Sequence, residues 1–191
     1  GGTSTDVSVV DGALAPVDEG ALGEHPLRIP LLPIETVGAG GGSIAQVDAG
    51  GALRVGPRSA GAVPGPACYG HGGVEATVTD AHAVLGRIEH LLGGEFPLDV
   101  AAARQAVGRL AERLGVSVEA CAQAILAVAQ ATMARACKRV SLDRGVDPRR
   151  LTVVAFGGAG GLHACALADE LGCPEVLFPA EPGVLSAAGI V

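Results

Sequence analysis

The 191-residue sequence predicts an α/β domain, and three observations predict it. Glycine clusters punctuate short apolar runs in the first half, helical spacing takes over in the second, and a strand, glycine loop, helix and strand follow in order toward the C-terminus. There are thirty glycines, with clusters at 38–42, 50–51, 70–73 and 157–161 that do not read as a flexible linker. Glycine concentrated between apolar runs marks places where the backbone turns tightly or touches a ligand.

Taken in order, the β-type runs are 7–10, 28–32, Ser43–Val47 and 52–55, the last two joined by the turn Asp48-Ala49-Gly50-Gly51 as a hairpin. Residues 56–73, with Pro57, Pro64 and Pro66, read as a loop. A short helix is expected within 77–88, with Thr79 or Asp80 as its N-cap. Val100, Val107, Leu110 and Leu114 recur at helical spacing up to Gly115. Ser117 then caps a longer helix whose apolar stripe is Val118, Cys121, Ile125, Val128, Thr132, Ala136 and Val140, ending at Gly145 before Pro148. Residues 151–156 are continuously apolar, the pattern of a strand buried on both faces. Gly157 begins a glycine loop, a helix over 162–171 ends at Gly172, and a strand at 175–178 completes a βαβ unit. The chain divides coarsely into a β-rich part, 1–95, and a helical part with the βαβ unit, 96–191.

Apolar residues make up 49% of the chain, yet Ala, Val, Gly and Leu dominate and there are three Phe, one Tyr and no Trp. Such a core gains little area per residue and relies on close backbone approach. The net charge of −7 argues against a nucleic-acid surface, which needs a basic footprint. No uninterrupted apolar stretch approaches the roughly 20 residues of a membrane span, so a cytoplasmic protein is expected. Five cysteines without a C-x-x-C pair read as reduced thiols.

Two glycine loops carry chemistry. At 157–161 an apolar strand delivers Gly157, Gly158, Ala159 and Gly160 to a helix start, where unpaired N–H groups favour anions or polar ligand edges. A dinucleotide fingerprint fits poorly, since G-x-G-x-x-H from Gly158 lacks the third glycine. At the other end, Gly1, Gly2, Thr3, Ser4, Thr5 and Asp6 combine a glycine pair, three hydroxyls and a carboxylate ahead of an apolar run. Backbone N–H groups and hydroxyls suit phosphate oxygens, and the carboxylate suits a hydrated cation. His71 and His82 flank Asp80 without the ligand spacing of a zinc site, and His163 is expected to hydrogen-bond at a helix start.

The blocks GGTSTDVSVVDG, ETVGAGGGSIAQVDAGGALRVGPRSAGAVPGPACYG, GGVEATVTDAHAVLGRI, RGVDPRRLTVVAFGGAGGLHACALADELG and PAEPGVLSAAGIV resemble, in this order, the hydantoinase A/5-oxoprolinase family, which includes acetone carboxylase subunits. The resemblance covers nearly the whole chain and is weakest across 93–139. It implies a lobe of an actin-like ATPase of the sugar-kinase and Hsp70 type, with ATP in a cleft between two lobes. Residues 1–6 correspond to the second phosphate loop and 157–160 to the adenosine loop; the first phosphate loop belongs to an N-terminal lobe outside this chain. The sequence departs from the pattern at Gly161, where proline is usual, at His82, where asparagine is usual, and at His71, where arginine is common.

What the resemblance implies chemically is phosphoryl activation of an amide or carbonyl oxygen, followed by attack of water or a partner's nucleophile. Thr3 and Asp6 are the expected catalytic residues, with Asp6 also at Mg²⁺ or its water. Gly1, Gly2, Thr3, Ser4 and Thr5 would face phosphate, and Gly157, Gly158, Ala159 and Gly160 the nucleoside. Gly38, Gly40, Gly41, Gly42 and Ser43 form the candidate substrate-facing or interdomain loop. ATP and Mg²⁺ are the implied cofactors. A small cyclic amide or ketone, a hydantoinase B-type subunit, the N-terminal lobe and further copies of the chain are the implied partners. A carboxylase subunit and a non-catalytic binding or scaffold module are the alternatives.

Overall fold

The computed structural model describes residues 2–13, 16–17, 20–22 and 25–189. β1 (Thr5–Val7) pairs antiparallel with β4 (Glu35–Val37), placing Thr5 opposite Val37 and Asp6 opposite Thr36. Between them β2 (Gly20–Leu22) and β3 (His25–Leu27) make a separate antiparallel pair. The strands expected at 7–10 and 28–32 are therefore displaced. Among the described residues, only Leu31 of 28–32 pairs, through an isolated bridge to Val17. Val10, Ile29 and Leu32 are about half exposed, so among the described residues their apolar character finds no sheet face to cover.

β5 (Ser43–Val47) and β6 (Leu53–Ser59) form the expected hairpin, and β6 runs four residues past the expected end at Val55. The Asp48 carboxylate caps the turn by accepting the N–H groups of Gly50 and Ala52, each at 2.9 Å. Inside β6, Gly56 sits at φ +71°, and a Cβ there would lie 2.5 Å from the Gly38 carbonyl oxygen. Only glycine permits that approach of β6 to the 38–43 loop.

α1 (Val78–Val84) is capped by Thr77, not by Thr79 or Asp80 as expected. Thr77 is extended, and Asp80 occupies the third helical position, so the two close a reciprocal capping box. Asp80 also reaches outside the helix. Its fully buried carboxylate accepts the N–H groups of Ala67 at 3.2 Å, Cys68 at 2.8 Å and Thr77 at 3.0 Å, and the Thr77 hydroxyl at 2.7 Å. Burial and this neighbouring carboxylate push the Cys68 thiol well up, so it stays protonated and inert.

After the small ladder of β7 (His90–Leu91) and β8 (Phe96–Pro97) come α2 (Val100–Leu114) and α3 (Val118–Asp143). Asp99 and Ser117 cap their starts, and Gly115 ends α2 in the left-handed conformation. α3 is long and apolar enough to cross a bilayer by length and composition. Here that composition serves a central helix that packs on α1 and α2 on one side and on α4 further along. Its buried face is accordingly wider than the single expected stripe. Val128 and Thr132 are only half-buried, while Ala129 and Met133 are buried.

β9 (Thr152–Val154) and β10 (Glu175–Leu177) are parallel neighbours joined through α4 (Ala164–Leu171), the predicted βαβ unit; α5 (Leu185–Ala188) follows. β9 is not buried on both faces as its run suggested. The pair is a two-stranded ladder on which Val154 and Leu177 remain about half exposed. The core nevertheless joins both halves of the chain. Ala45, Ala67, Cys68 and Val78 share one cluster with Val107, Cys121, Ile125 and Ala129. A smaller cluster packs Ala39 against Met133, Ala134 and Leu167. A buried Ile125 or Val107 contributes about 1.5–3 kcal/mol, whereas the many alanines contribute mainly by letting backbones approach.

Asp80→Ala should destabilise the domain by at least ~3 kcal/mol, because it strands buried N–H donors that each cost about 1–3 kcal/mol. Asp80→Asn should cost less, since its amide oxygen still accepts. Chemical denaturation measures both; equal stability of Asp80→Ala and the parent would show that the carboxylate anchors nothing.

Candidate functional site

The glycine loops distant in sequence meet at residues 41 and 42. The Gly42 N–H donates to the Gly2 carbonyl at 2.6 Å, and the Gly42 carbonyl accepts the Ala60 N–H at 2.8 Å. A Cβ on Gly42 would lie 2.8 Å from Ser59 Oγ and 3.1 Å from the Gly2 oxygen. On the neighbouring residue, Thr79 donates both its N–H and its hydroxyl to the Gly41 carbonyl, each at 2.8 Å. A Cβ on Gly41 would stand 2.8 Å from Thr79 Oγ1 and 3.6 Å from the Ala159 Cβ. Two glycines without side chains thus let the 2–6 segment, the start of α1 and the 157–160 loop converge. The Thr5 hydroxyl adds a bond to the Ala39 carbonyl at 2.7 Å.

The predicted residues fall into two groups. Gly2 and Thr3 are exposed and Ser4 and Thr5 half-buried, while Gly1 lies outside the described residues. Asp6 is exposed, and its Oδ1 accepts the Thr36 hydroxyl at 2.7 Å. Gly157 has φ +83° and donates its N–H to the Pro182 carbonyl at 2.7 Å. A Cβ at Gly2, Gly157, Gly158 or Gly160 would meet nothing within 4 Å. Gly157 needs glycine for its left-handed φ, but neither φ nor packing among the described residues demands it at Gly2, Gly158 or Gly160, where the open side suits close approach of a ligand to the backbone. The second group differs from expectation. Gly38 is exposed, but Gly40, Gly41, Gly42 and Ser43 are buried, and Ser43 Oγ accepts the Gly40 N–H at 2.8 Å. They form the seam behind the loops, not an open substrate-facing wall. Beyond that seam, Ile44, Arg58, Ser59, Val63 and Glu75 line a concavity of about 340 Å³, with Arg58 and Glu75 ion-paired beside it.

Sequence reasoning missed the site's most unusual feature. His82 on α1 and His163 ahead of α4 are 0% and 2% exposed, with ring centroids 5.0 Å apart and planes inclined at 65°. His163 does not hydrogen-bond through its ring as expected. Among the described residues, neither ring nitrogen of either histidine has a partner. The signal available beforehand was spacing: His82 lies one turn beyond Thr79, and His163 follows the 157–161 glycines after one intervening residue, Leu162. His71 stands apart on the surface, edge-on to Phe96.

Burial holds His82 down at about 3, helped by the adjoining His163 ring and by Arg87. Burial likewise holds His163 down at about 4, with the positive charge of Arg87 adding to it. Both are neutral in the folded protein but protonate near the ordinary 6.5 when unfolded. Stability is therefore complete above about pH 6.5 and falls as pH drops toward 4, by about 1.4 kcal/mol per pH unit for each histidine. Thermal unfolding between pH 7 and 4.5 checks this. A His82→Leu/His163→Leu double variant should show a flatter profile, and an unchanged acid slope would contradict the assignment.

Comparison with known proteins accounts for the architecture as a whole. The hydantoinase/oxoprolinase family model matches residues 1–191. The crystal structure of an ATP-dependent caprolactamase from Pseudomonas jessenii superposes with a TM-score of 0.90 at 44% identity, over 99% of this chain and 28% of that one. 5-Oxoprolinase 1 of Arabidopsis thaliana is 42% identical over 100% of this chain and 16% of its own length. The nucleotide-free structure of acetone carboxylase gives a TM-score of 0.88 at 30% identity, over 99% of this chain and 27% of that one. This chain spans less than a third of each of these proteins, and over that span it belongs to the hydantoinase/oxoprolinase family.

Proposed function

We propose that this chain supplies the nucleotide-binding part of an ATP-dependent enzyme that activates the carbonyl oxygen of a cyclic amide or imide. The observation that carries this reading is the convergence at Gly41 and Gly42 of two glycine segments whose own Cβ positions open to free space. The exposed backbone at Gly2 and Gly158 suits phosphate and nucleoside edges without hindrance from side chains. In this reading the fold is one lobe of an actin-like ATPase, and the opposing lobe completes the cleft.

The roles follow from position. Gly1, Gly2 and the hydroxyls of Thr3 and Ser4 hold phosphate oxygens, while Thr5, expected to join them, donates its hydroxyl proton to the Ala39 carbonyl and anchors the loop instead. Asp6 holds Mg²⁺ or one of its waters, and its bond to Thr36 fixes the carboxylate on the face of β1. One protein carboxylate is in keeping with a cation that keeps several waters and takes further ligands from phosphates. Gly157, Gly158 and Gly160 lie against the nucleoside. When bound, ATP supplies the phosphoryl group that turns a resonance-stabilised amide oxygen into a better leaving group. The chain's share is to orient, to neutralise charge and to hold the loops at fixed separation.

Partner subunits form part of the proposal, because one relative is named as the alpha subunit of a caprolactamase and another as the gamma subunit of an acetophenone carboxylase. The second reading, a subunit of an ATP-dependent carboxylase acting on a ketone, draws on the likeness to acetone carboxylase.

ATP titration and ATP hydrolysis by the full-length protein, with hydantoins, 5-oxoproline, caprolactam or acetone as stimulants, separate the two. Stimulation by a cyclic amide is expected, and Asp6→Asn should lower kcat at least about 100-fold, the scale of losing a transition-state charge contact. Stimulation by acetone alone would favour the carboxylase. Absence of nucleotide binding would refute both.

A further inference from the structure

His82 and His163 are two imidazoles that packing alone does not call for. Each is buried, each is in edge-to-face contact with the other, and their four ring nitrogens find no partner among the described residues. A neutral imidazole carries one donor and one acceptor, and leaving them unpaired in the interior costs stability. Leucine would occupy a similar volume without that cost. Buried polar groups left in this way call for an explanation beyond packing.

Their place in the chain gives one. Thr79, one turn before His82, holds the Gly41 carbonyl with two hydrogen bonds. His163 closes the turn Gly160–Leu162, its N–H donating to the Gly160 carbonyl at 3.2 Å, and its own carbonyl accepts the Leu167 N–H at 2.9 Å to start α4. No side chain caps that end of α4. The ring contact therefore bridges the helix that holds the 38–43 loop and the hinge between the 157–160 loop and α4. Aromatic edges and faces prefer a defined separation and angle, whereas aliphatic side chains slide. Among the described residues, the charged side chain acting on the pair is Arg87, three residues past the end of α1.

We propose that His82 and His163 are positioning residues for the nucleotide: the ring contact sets the distance between the Gly41 seam and the 157–160 loop. The proposal rests on the nucleotide reading above. Neither ring touches the nucleotide; both act through the loops they join.

The test is a double-mutant cycle on the full-length protein. His82→Leu and His163→Leu should each raise the KM for ATP about tenfold, a larger change than the fall in kcat. The double variant should be no worse than either single one, because one contact is lost in all three. His163→Phe keeps a ring edge and should restore most of the affinity. Thermal stability at pH 7.5 should not fall in the leucine variants, since unpaired nitrogens have been removed. Additive losses, an unchanged KM, or a KM that rises only as the melting temperature falls would each overturn the proposal. Should the leucine variants not fold, imidazole ¹⁵N signals of the parent protein decide. ATP should shift His82 and His163 together, and unshifted signals overturn it. A parent protein that binds no ATP refutes the nucleotide reading itself, a result distinct from any of these.

Discussion

A carboxylate without any exposure, Asp80, is the constraint on which the arrangement of the loops depends. A buried charge survives only when hydrogen bonds replace its lost hydration. Asp80 meets that condition by gathering the Ala67 and Cys68 amides from one segment and the amide and hydroxyl of Thr77 from another. The same four bonds fix where α1 starts and how it is turned. From that orientation Thr79 reaches Gly41, and His82 meets His163. The seam between the loops is thus held by a residue that touches none of them.

Small residues make the rest possible. A core of alanine, valine and glycine stabilises weakly per residue, but it lets α3 lie close to α1, α2 and α4 and so reach both clusters of the interior. Ala39 of the 38–43 loop packs on Met133, Ala134 and Leu167, which give that loop a solid floor. Gly42 shows the same economy of volume, with Ser59 on one side and the Gly2 backbone on the other. The exposed aliphatic and aromatic residues Val154, Phe156, Leu177 and Phe178, by contrast, mark the one parallel ladder of the described residues as an open-faced pair.

The parts of this arrangement legible in the sequence were those governed by local rules. Helical spacing together with Gly115 and Ser117 located α2 and α3, and the Asp-Ala-Gly-Gly turn located the β5–β6 hairpin; the Asp99 cap of α2 was not read beforehand. The βαβ order was legible for the same reason. What escaped was set by distant partners. Thr77 outcompetes Thr79 as cap because Asp80 is committed to residues 67 and 68, which spacing along α1 does not reveal. Ser43 looks like a loop hydroxyl open to substrate, yet its bond to Gly40 and the packing of β6 bury it. The histidine pair joins positions 82 and 163, far apart in the chain, and only the fold brings them together. The run at 151–156 reads as a doubly covered strand, although within this chain its covering is incomplete.

Amide hydrogen exchange of the full-length protein, with and without ATP and Mg²⁺, tests most directly whether the separated glycine segments make one nucleotide site. The account predicts that nucleotide slows exchange together at residues 2–6, 38–43 and 157–163, with little change on the outer face of α2. Protection of only one of these segments, or of none while ATP is bound elsewhere, would contradict it.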